Sequence, residues 1–254
     1  MAETLTPPKP LGRKAYGHIG HLPGSRLGPS DHRVHDGQAR ICTERVRDKH
    51  DRIIVQEKLD GSCVAVARVG DAIIPLIRAG YRAEQSRHEQ HRLFARWAYE
   101  HWPLFYRRLR DGERFVGEWL AQAHGTRYAL PHEPFVVFDL MREDERATVE
   151  ELAERLDGAF TMPRLIHAGA SLSIAAMLAS LEPSGHGALD PMEGAVWRVE
   201  RYDPRSQRWS VDFLAKFVRP DKVDGRYLPE MSGAEAVWNW RPTQHADVLA
   251  SEGS

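Results

Sequence analysis

Residues 53–78 read IIVQEKLDGSCVAVARVGDAIIPLIR and contain three apolar runs rich in β-branched side chains. The short segments LDGS and Gly70-Asp71 separate these runs and have the composition of turns. Apolar runs of this length between turn residues are typical of strands joined by short connections. The stretch therefore predicts three neighbouring strands in an antiparallel meander.

Helical patterns follow this stretch. Apolar and aromatic residues recur at three- and four-residue spacing over residues 84–110, with an interruption at Pro103, which predicts two helical segments. Residues 148–151 (TVEE) form a capping-box pattern that opens a helix through about Leu156. A further helix is predicted near residues 172–181.

Further strands are predicted at RFVGEWLA (residues 114–121) and PFVVFDLM (residues 134–141). The segments GAVWRVE and RWSVDFLAKFV flank a loop at residues 202–207 and have the pattern of a hairpin. Strands and helices mix without a regular βαβ alternation. This order favours an α+β fold over a doubly wound parallel sheet.

Length and composition fit one large domain with small appendages, since the chain has 254 residues and 42% hydrophobic content. We predict an irregular N-terminal arm at residues 1–37, rich in Gly, Pro, His and basic side chains, a core at 38–225 and a short C-terminal tail at 226–254, polar and mobile from about Arg241. The formal net charge is -1, so any basic groove must be local.

The cellular compartment is predicted from cysteines and hydropathy. The two cysteines, Cys42 and Cys63, cannot build a disulfide framework, which favours a reducing compartment. The first residues, MAETLTPPKP, lack the pattern of a signal peptide, and no run of roughly 18 apolar residues occurs. We therefore expect a soluble, cytoplasmic protein.

Lys58 stands at the end of an apolar strand, immediately before the turn that contains Gly61. A lysine becomes a nucleophile when partial burial, a neighbouring cation or a metal lowers its pKa, because only the neutral amine attacks. The alternative is an ordinary surface lysine beside a turn. This short motif alone leaves both interpretations open.

An ordered series of segments over about residues 53–219 resembles the covalent nucleotidyltransferase superfamily of polynucleotide ligases and capping enzymes. The matching segments are KLDG (58–61), Arg78 within IRAGYR, FVGEWL (115–120), FVVFD (135–139), MEGAV (192–196) and LAKFV (214–218). The resemblance implies an adenylylation domain of mainly antiparallel sheets flanked by helices, with the nucleotide between the sheets.

The resemblance also implies roles for individual residues. Lys58 would carry AMP, Glu118 would contact the ribose, Phe138 would stack on the purine and Lys216 would grip the α-phosphate. The implied catalytic set is Lys58, Asp60 and Lys216, and the implied nucleotide-binding set is Glu57, Lys58, Arg78, Glu118, Phe138, Glu193 and Lys216.

Carboxylates at strand ends are candidate metal ligands, because a carboxylate there is costly unless it is solvated, paired or bound to metal. Asp139 and Glu193 are accordingly predicted to hold Mg²⁺ or Mn²⁺, and Asp60 is a further candidate. The His18/His21 and His88/His91 pairs have spacings seen in zinc sites, but no Cys or carboxylate set supports them. Solvated histidines are the prediction there.

Within the superfamily, GEWLAQAHGTRY, with His124 and Tyr128, most resembles the RNA ligases. The resemblance implies an ATP-dependent RNA ligase that joins 5′-phosphate and 3′-hydroxyl ends through lysyl-AMP and adenylylated RNA, in RNA repair, with a kinase or phosphatase preparing the ends. A DNA ligase, a capping guanylyltransferase and an inactive binding domain remain alternatives.

The closing motif departs from the family pattern, in which two lysines stand two residues apart. Here Val218 occupies the second position, which leaves Arg219 or Lys222 as substitutes for the second phosphate contact. The RNA-binding residues stay unassigned, and we expect RNA contacts from the arm, the tail or a partner.

Overall fold

The computed structural model describes residues 7–242. The predicted mobile tail therefore lies, apart from residues 241 and 242, outside the described residues. The strands are β1 (Gly20–His21), β2 (Asp51–Lys58), β3 (Ser62–Val69), β4 (Ala72–Ile77), β5 (Glu113–Trp119), β6 (Phe135–Arg142), β7 (Glu145–Arg146), β8 (Leu165–Gly169), β9 (Gly194–Asp203) and β10 (Arg208–Val218). The helices are α1 (Asp36–Thr43), α2 (Glu89–Glu100), α3 (Trp102–Arg108), α4 (Val149–Leu156), α5 (Ile174–Ala179) and α6 (Pro229–Ser232), with a 3-10 turn at Ala83–Gln85.

The strands form two five-stranded sheets. The first sheet has the order β1-β10-β9-β2-β8, and the second has the order β4-β3-β5-β6-β7. Neighbouring strands are antiparallel, with the exception that β1 runs parallel to β10. The predicted α+β class with mainly antiparallel sheets is confirmed.

The predicted three-stranded meander is wrong at its first turn. Strand β2 pairs with β8 and β9 in the first sheet, whereas β3 pairs with β4 and β5 in the second. The chain crosses between sheets at Gly61, where a Cβ atom would lie 2.5 Å from the carbonyl oxygen of Trp119. Close packing against β5, rather than a hairpin, explains the glycine.

Most predictions from local patterns are confirmed. β9 and β10 form the predicted hairpin, and Pro103 occupies the first turn of α3, which separates it from α2. The capping box of α4 is present, since Thr148 Oγ1 accepts from the Glu151 amide at 3.2 Å and the Glu151 carboxylate accepts from the Thr148 amide at 2.9 Å. Helix α5 is shorter than predicted. Elements β1, α1, β7, β8 and α6 were not predicted.

Each sheet packs against its own helices. Phe94, Trp97 and Phe105 of α2 and α3 pack on the second sheet, and Cys42 and Met177 of α1 and α5 pack on the first. The two cysteines lie in different clusters and are free. The remaining faces of the sheets are thereby left to enclose a site.

The N-terminal arm connects the two sheets. Ala15 and Tyr16 pack on Ala65 and Leu76 of the second sheet, while β1 hydrogen bonds to β10 of the first. At the other end, Asn239 donates to the Leu120 carbonyl at 2.8 Å. The predicted boundaries at residues 37 and 225 stay predictions.

Within residues 7–242, no helix combines the length and hydrophobicity that a membrane crossing requires.

Candidate active site

A cavity of about 510 Å³ lies between the two sheets, at the point where the chain crosses from one to the other. Its walls include Lys58, Val196, Leu214 and Lys216 from the first sheet, Cys63, Glu118 and Phe138 from the second, and Tyr16 and Ile19 from the arm. A concave site with convergent polar groups is the usual place for a ligand.

Strand pairing places Lys58 beside Glu193. Lys58 pairs with Gly194 in the register of β2 and β9, so the residue before Gly194 lies next to the lysine. Lys58 Nζ donates to Glu193 Oε2 at 2.6 Å, and the lysine side chain is only 20% exposed. Lys58 is therefore held in the cavity rather than mobile on the surface.

The charges around Lys58 favour its protonated form, whereas a lysine nucleophile needs a lowered pKa. Burial would lower its pKa, but the carboxylates of Glu193 and Glu118 outweigh burial and raise the pKa above its ordinary value. Burial raises the pKa of Glu118 and of Glu193 to about 7, although Lys58 acts in the opposite direction. Lys58 therefore keeps its proton, and the lowered pKa expected of a lysine nucleophile is not found.

Glu118 and Glu57 both line the cavity, but their carboxylates face different partners. Glu118 Oε1 accepts from the Gly61 amide at 3.0 Å and so holds the turn after Lys58. Glu57 accepts from Ser184 Oγ at 2.6 Å and from the Gly185 amide at 2.9 Å. Glu57 therefore anchors a neighbouring loop.

Asp60 is part of a buried ion pair. Its Oδ2 atom accepts from the Gly125 amide at 2.9 Å and lies 2.9 Å from Lys222 Nζ. Lys222 and Arg219 are absent from the described cavity walls, and Arg219 instead pairs with Asp221 at 2.7 Å. The idea that Arg219 or Lys222 supplies a second phosphate contact therefore does not fit this arrangement.

Arg78 and Phe138 lie on the side of the cavity formed by the second sheet and the arm. Arg78 Nη2 donates to the Gly17 carbonyl at 2.8 Å, which joins it to the arm. The Phe138 ring meets Tyr16 edge to face at a centroid distance of 5.3 Å. An aromatic face at a cavity wall can stack on a planar ring.

Asp139 is fully buried and is not among the residues that line the cavity, and its carboxylate is fully engaged. It pairs with Arg198, accepts from Tyr16 Oη at 2.6 Å and lies 3.3 Å from Arg146 Nε. The prediction that Asp139 ligates a metal does not fit, because protein donors already hold both oxygens. Among residues 7–242, no group of three or more His, Cys, Asp or Glu side chains is arranged to hold a metal.

Lys216 has a counter-ion that the sequence did not reveal. Its Nζ lies 3.4 Å from Asp31 Oδ1, and Asp31 Oδ2 lies 3.1 Å from His21 Nε2. Burial and the nearby Lys58 lower the pKa of Lys216. The arm therefore contributes directly to the environment of the closing-motif lysine.

His91 also lines the cavity, contrary to the prediction of solvated histidines. Its ring nitrogens lie 2.7 Å from Ser62 Oγ and 2.8 Å from Ser86 Oγ. Burial and His88 lower its pKa to about 4, which keeps the ring neutral. No pattern around His91 distinguished it from an exposed helical histidine.

The glycines beside the two glutamates serve protein packing. A Cβ on Gly117 would lie 2.5 Å from the Val136 carbonyl oxygen, and one on Gly194 would lie 1.9 Å from that of Phe217. These glycines therefore allow the backbone of the neighbouring strand to approach closely. Neighbouring strands already fill the space.

Comparison with known proteins places this site in a family. A family model described as RNA ligase matches residues 51–218. Naegleria gruberi RNA ligase with PPi is similar in fold, with 19% identity, a TM-score of 0.51 and coverage of 78% of this chain and 58% of that chain. An archaeal ATP-dependent RNA ligase has 23% identity and a TM-score of 0.43, with coverage of 67% and 44%.

A Naegleria gruberi RNA ligase mutant with AMP and Mn has 18% identity and a TM-score of 0.46, with coverage of 67% of this chain and 50% of that one. The chain thus spans about half the length of these solved proteins. No curated protein matches the sequence. Because the family match contains both the Lys58 and the Lys216 segments and most of the chain, the protein belongs to the RNA ligase family.

Proposed function

We propose that this protein is an ATP-dependent RNA ligase that uses Lys58 as its nucleophile. It joins a 5′-phosphate and a 3′-hydroxyl RNA end through lysyl-AMP and adenylylated RNA. The observation that carries the proposal is the placement of Lys58 in the cavity between the sheets, 2.6 Å from Glu193, with Lys216 on the same cavity wall.

In the first step, Lys58 Nζ forms a bond to the α-phosphorus of ATP while the bond to pyrophosphate breaks. The electron pair of the broken bond leaves with pyrophosphate. The lysine must first lose a proton, and Glu193 Oε2 lies within hydrogen-bond distance to accept it. A carboxylate with a pKa raised to about 7 by burial is suited to this exchange near neutral pH.

The cavity offers a partner for each part of the nucleotide. Phe138, Arg78, Glu118 and Lys216 all line the cavity. Phe138 would stack on the base, Arg78 and Glu118 would contact the ribose and phosphates, and Lys216 would offer a cation to the α-phosphate. Glu118 must divide its hydrogen bonds between the ribose and the Gly61 amide, which it holds at 3.0 Å.

A divalent ion fits the site only together with ATP. Glu193 offers a buried carboxylate, of which one oxygen is bound to Lys58. Magnesium commonly uses one or two carboxylates plus substrate phosphates and water. Bound Mg²⁺ or Mn²⁺ would offset negative charge on the phosphates. The Naegleria gruberi mutant with AMP and Mn is consistent with this need.

The later steps define the substrate and its partners. AMP passes from Lys58 to the 5′-phosphate, and the 3′-hydroxyl then attacks that phosphate, which seals the strand and releases AMP. Such a reaction needs ends that a kinase or a phosphatase can prepare, so RNA repair in the cytoplasm is the proposed setting.

The first experiment measures covalent labelling. Purified protein is incubated with Mg²⁺ or Mn²⁺ and with ATP or GTP labelled at the α-phosphate, and is then separated by denaturing electrophoresis. We expect label from ATP, its loss in Lys58→Ala, and its retention in the control Lys49→Ala, since Lys49 is exposed and outside the cavity. Glu118→Ala should weaken labelling without abolishing it.

The outcomes separate the alternatives. Label that persists in Lys58→Ala refutes the nucleophile assignment, label from GTP indicates capping chemistry, and no label from either nucleotide indicates an inactive binding domain. Supplying 5′-phosphorylated RNA and nicked duplex DNA in parallel then distinguishes an RNA ligase from a DNA ligase.

A further inference from the structure

A second groove, of about 380 Å³, lies between the arm and strand β10 beside the nucleotide cavity. Ile19 and Leu214 line both the groove and the cavity. Leu214 stands two residues before Lys216 on β10, so the two side chains share a face of the sheet. The groove therefore continues from the cavity on the side where Lys216 lies.

The polar walls of this groove are mainly hydrogen-bond donors and cations. They include His18, His32, Arg33, His35, Gln38 and Arg146. The acid in the wall is Asp212, which Arg47 already pairs at 2.6 Å. Arg33 is exposed and makes no ion pair within residues 7–242. Arg146 is paired with Asp139, so the uncompensated positive charge of the groove comes from Arg33.

The electrostatic field at the rim is also positive. Arg78 lowers the pKa of His18 most strongly, with smaller contributions from burial, Lys14 and Lys216, against an opposing effect of Asp31. His18 is exposed, so surrounding cations outweigh burial as the cause. This local patch exists although the whole chain carries a formal charge of -1.

We propose that this groove binds the phosphodiester backbone of the RNA strand whose end reacts in the nucleotide cavity. The inference rests on the proposed function and names where the substrate lies. Phosphates are recognised by arginine and imidazole donors, and they carry most of the affinity of a protein for RNA. The groove opens to solvent and leads to Lys216, as a path for a long strand must.

The triphosphate of ATP is the competing anion. It would occupy the cavity around Lys58 and Lys216, whereas Arg33 and His32 lie only in the groove. A residue that serves RNA alone should affect RNA binding and strand joining but not the labelling of Lys58 by ATP. This difference provides the test.

The experiment compares Arg33→Gln with a matched control, Arg40→Gln. Arg40 is exposed on α1 and does not line the groove. Binding of a short, fluorescent, 5′-phosphorylated RNA is measured by anisotropy at several salt concentrations. We expect Arg33→Gln to weaken binding about tenfold and to reduce the slope of log K against log salt by about 0.7. Arg40→Gln and labelling by ATP should be unchanged.

Equal RNA affinity and salt slope in Arg33→Gln and the unaltered protein would overturn the proposal. Loss of ATP labelling in the folded variant would also overturn it, since the groove would then serve the nucleotide. If Arg33→Gln melts at a lower temperature than the unaltered protein, His18→Gln is used in its place, because His18 is also exposed. In addition, Arg33→Lys, which keeps the positive charge, should bind RNA as the unaltered protein does. Absence of labelling in the unaltered protein would refute the ligase proposal, while RNA binding would still decide the role of the groove.

Discussion

Replacing Lys222 by methionine should test how the C-terminal segment supports the nucleophile motif. Lys222 Nζ lies 2.9 Å from Asp60 Oδ2, with side chains that are 6% and 14% exposed, respectively. Lys222 also donates to Thr126 Oγ1. Asp60 follows Lys58 by two residues, so this ion pair links the segment after β10 to the turn that carries the nucleophile.

The magnitude follows from charge and burial. Coulomb's law gives an attraction of about 6 kcal/mol for unit charges at this separation with an effective dielectric constant of about 20. Desolvation offsets much of that gain, but removing one partner of a buried pair typically costs about 3 to 5 kcal/mol, because the other charge is left uncompensated. Asp60 keeps the Gly125 amide as a donor, so we expect a loss near about 3 kcal/mol in Lys222→Met.

The assay is urea unfolding of the unaltered protein, Lys222→Met, Asp60→Asn and the double variant, with Lys49→Met as the control for an exposed lysine. The double-mutant cycle should show coupling of about 1.5 kcal/mol or more between the two residues. Adenylylation should fall to a similar degree in both single variants. This reasoning would be refuted if Lys222→Met had normal stability, the cycle showed no coupling and ATP binding were weaker. Lys222 would then be assigned a phosphate-binding role.

Two further outcomes are expected from the arm and from the Glu-Gly segment. Burial, with a smaller contribution from Lys216, lowers the pKa of His21 to about 4, and the residue is 1% exposed. As the pH falls, His21 therefore becomes protonated in the unfolded chain at a higher pH than in the folded protein. The free energy of unfolding should fall by about 3 kcal/mol as the pH drops from about 6.5 to 4. In urea titrations at each pH, His21→Gln should lack this contribution. Gly194→Ala should lower stability by at least about 3 kcal/mol in thermal unfolding, because φ is 153° at Gly194 and the added Cβ would meet the Phe217 carbonyl. The control Gly37→Ala should leave stability unchanged, because no atom lies within contact distance of a Cβ there. Unchanged melting of Gly194→Ala would contradict the close strand packing.

Features governed by neighbouring residues were predictable from the sequence. The Thr148 capping box, the interruption at Pro103 and the hairpin of β9 and β10 each depend on local rules of helix capping, ring geometry or turn composition. The predicted loop at residues 202–207 begins two residues too early, since β9 extends to Asp203. The family resemblance also predicted that Lys58 and Glu193 would share a site. Their side chains lie 2.6 Å apart, and the roles assigned to them stay predictions.

Features that depend on distant partners were not predictable. Strand β1 has only two residues and exists because β10 supplies hydrogen bonds to it. The apolar pattern of β2 is the same whether it joins β3 or β9, so the exchange between sheets left no signal in the sequence. The pairs Asp60–Lys222 and Asp31–Lys216 each join segments more than 150 residues apart, as their numbering shows.

The charge balance around Lys58 determines what the proposed reaction requires. In the free protein, Glu193 and Glu118 hold the proton on Lys58, although burial opposes this. Nucleotide phosphates would stabilise the ammonium further if they entered alone, since opposite charges favour the charged form. A neutral nucleophile therefore requires positive charge to arrive with the nucleotide or to be placed beside it. Lys216 already lies on the same wall, and the Asp31 of the arm accompanies it. The arm thus belongs to the electrostatics of the nucleophile, as well as to the walls of the cavity.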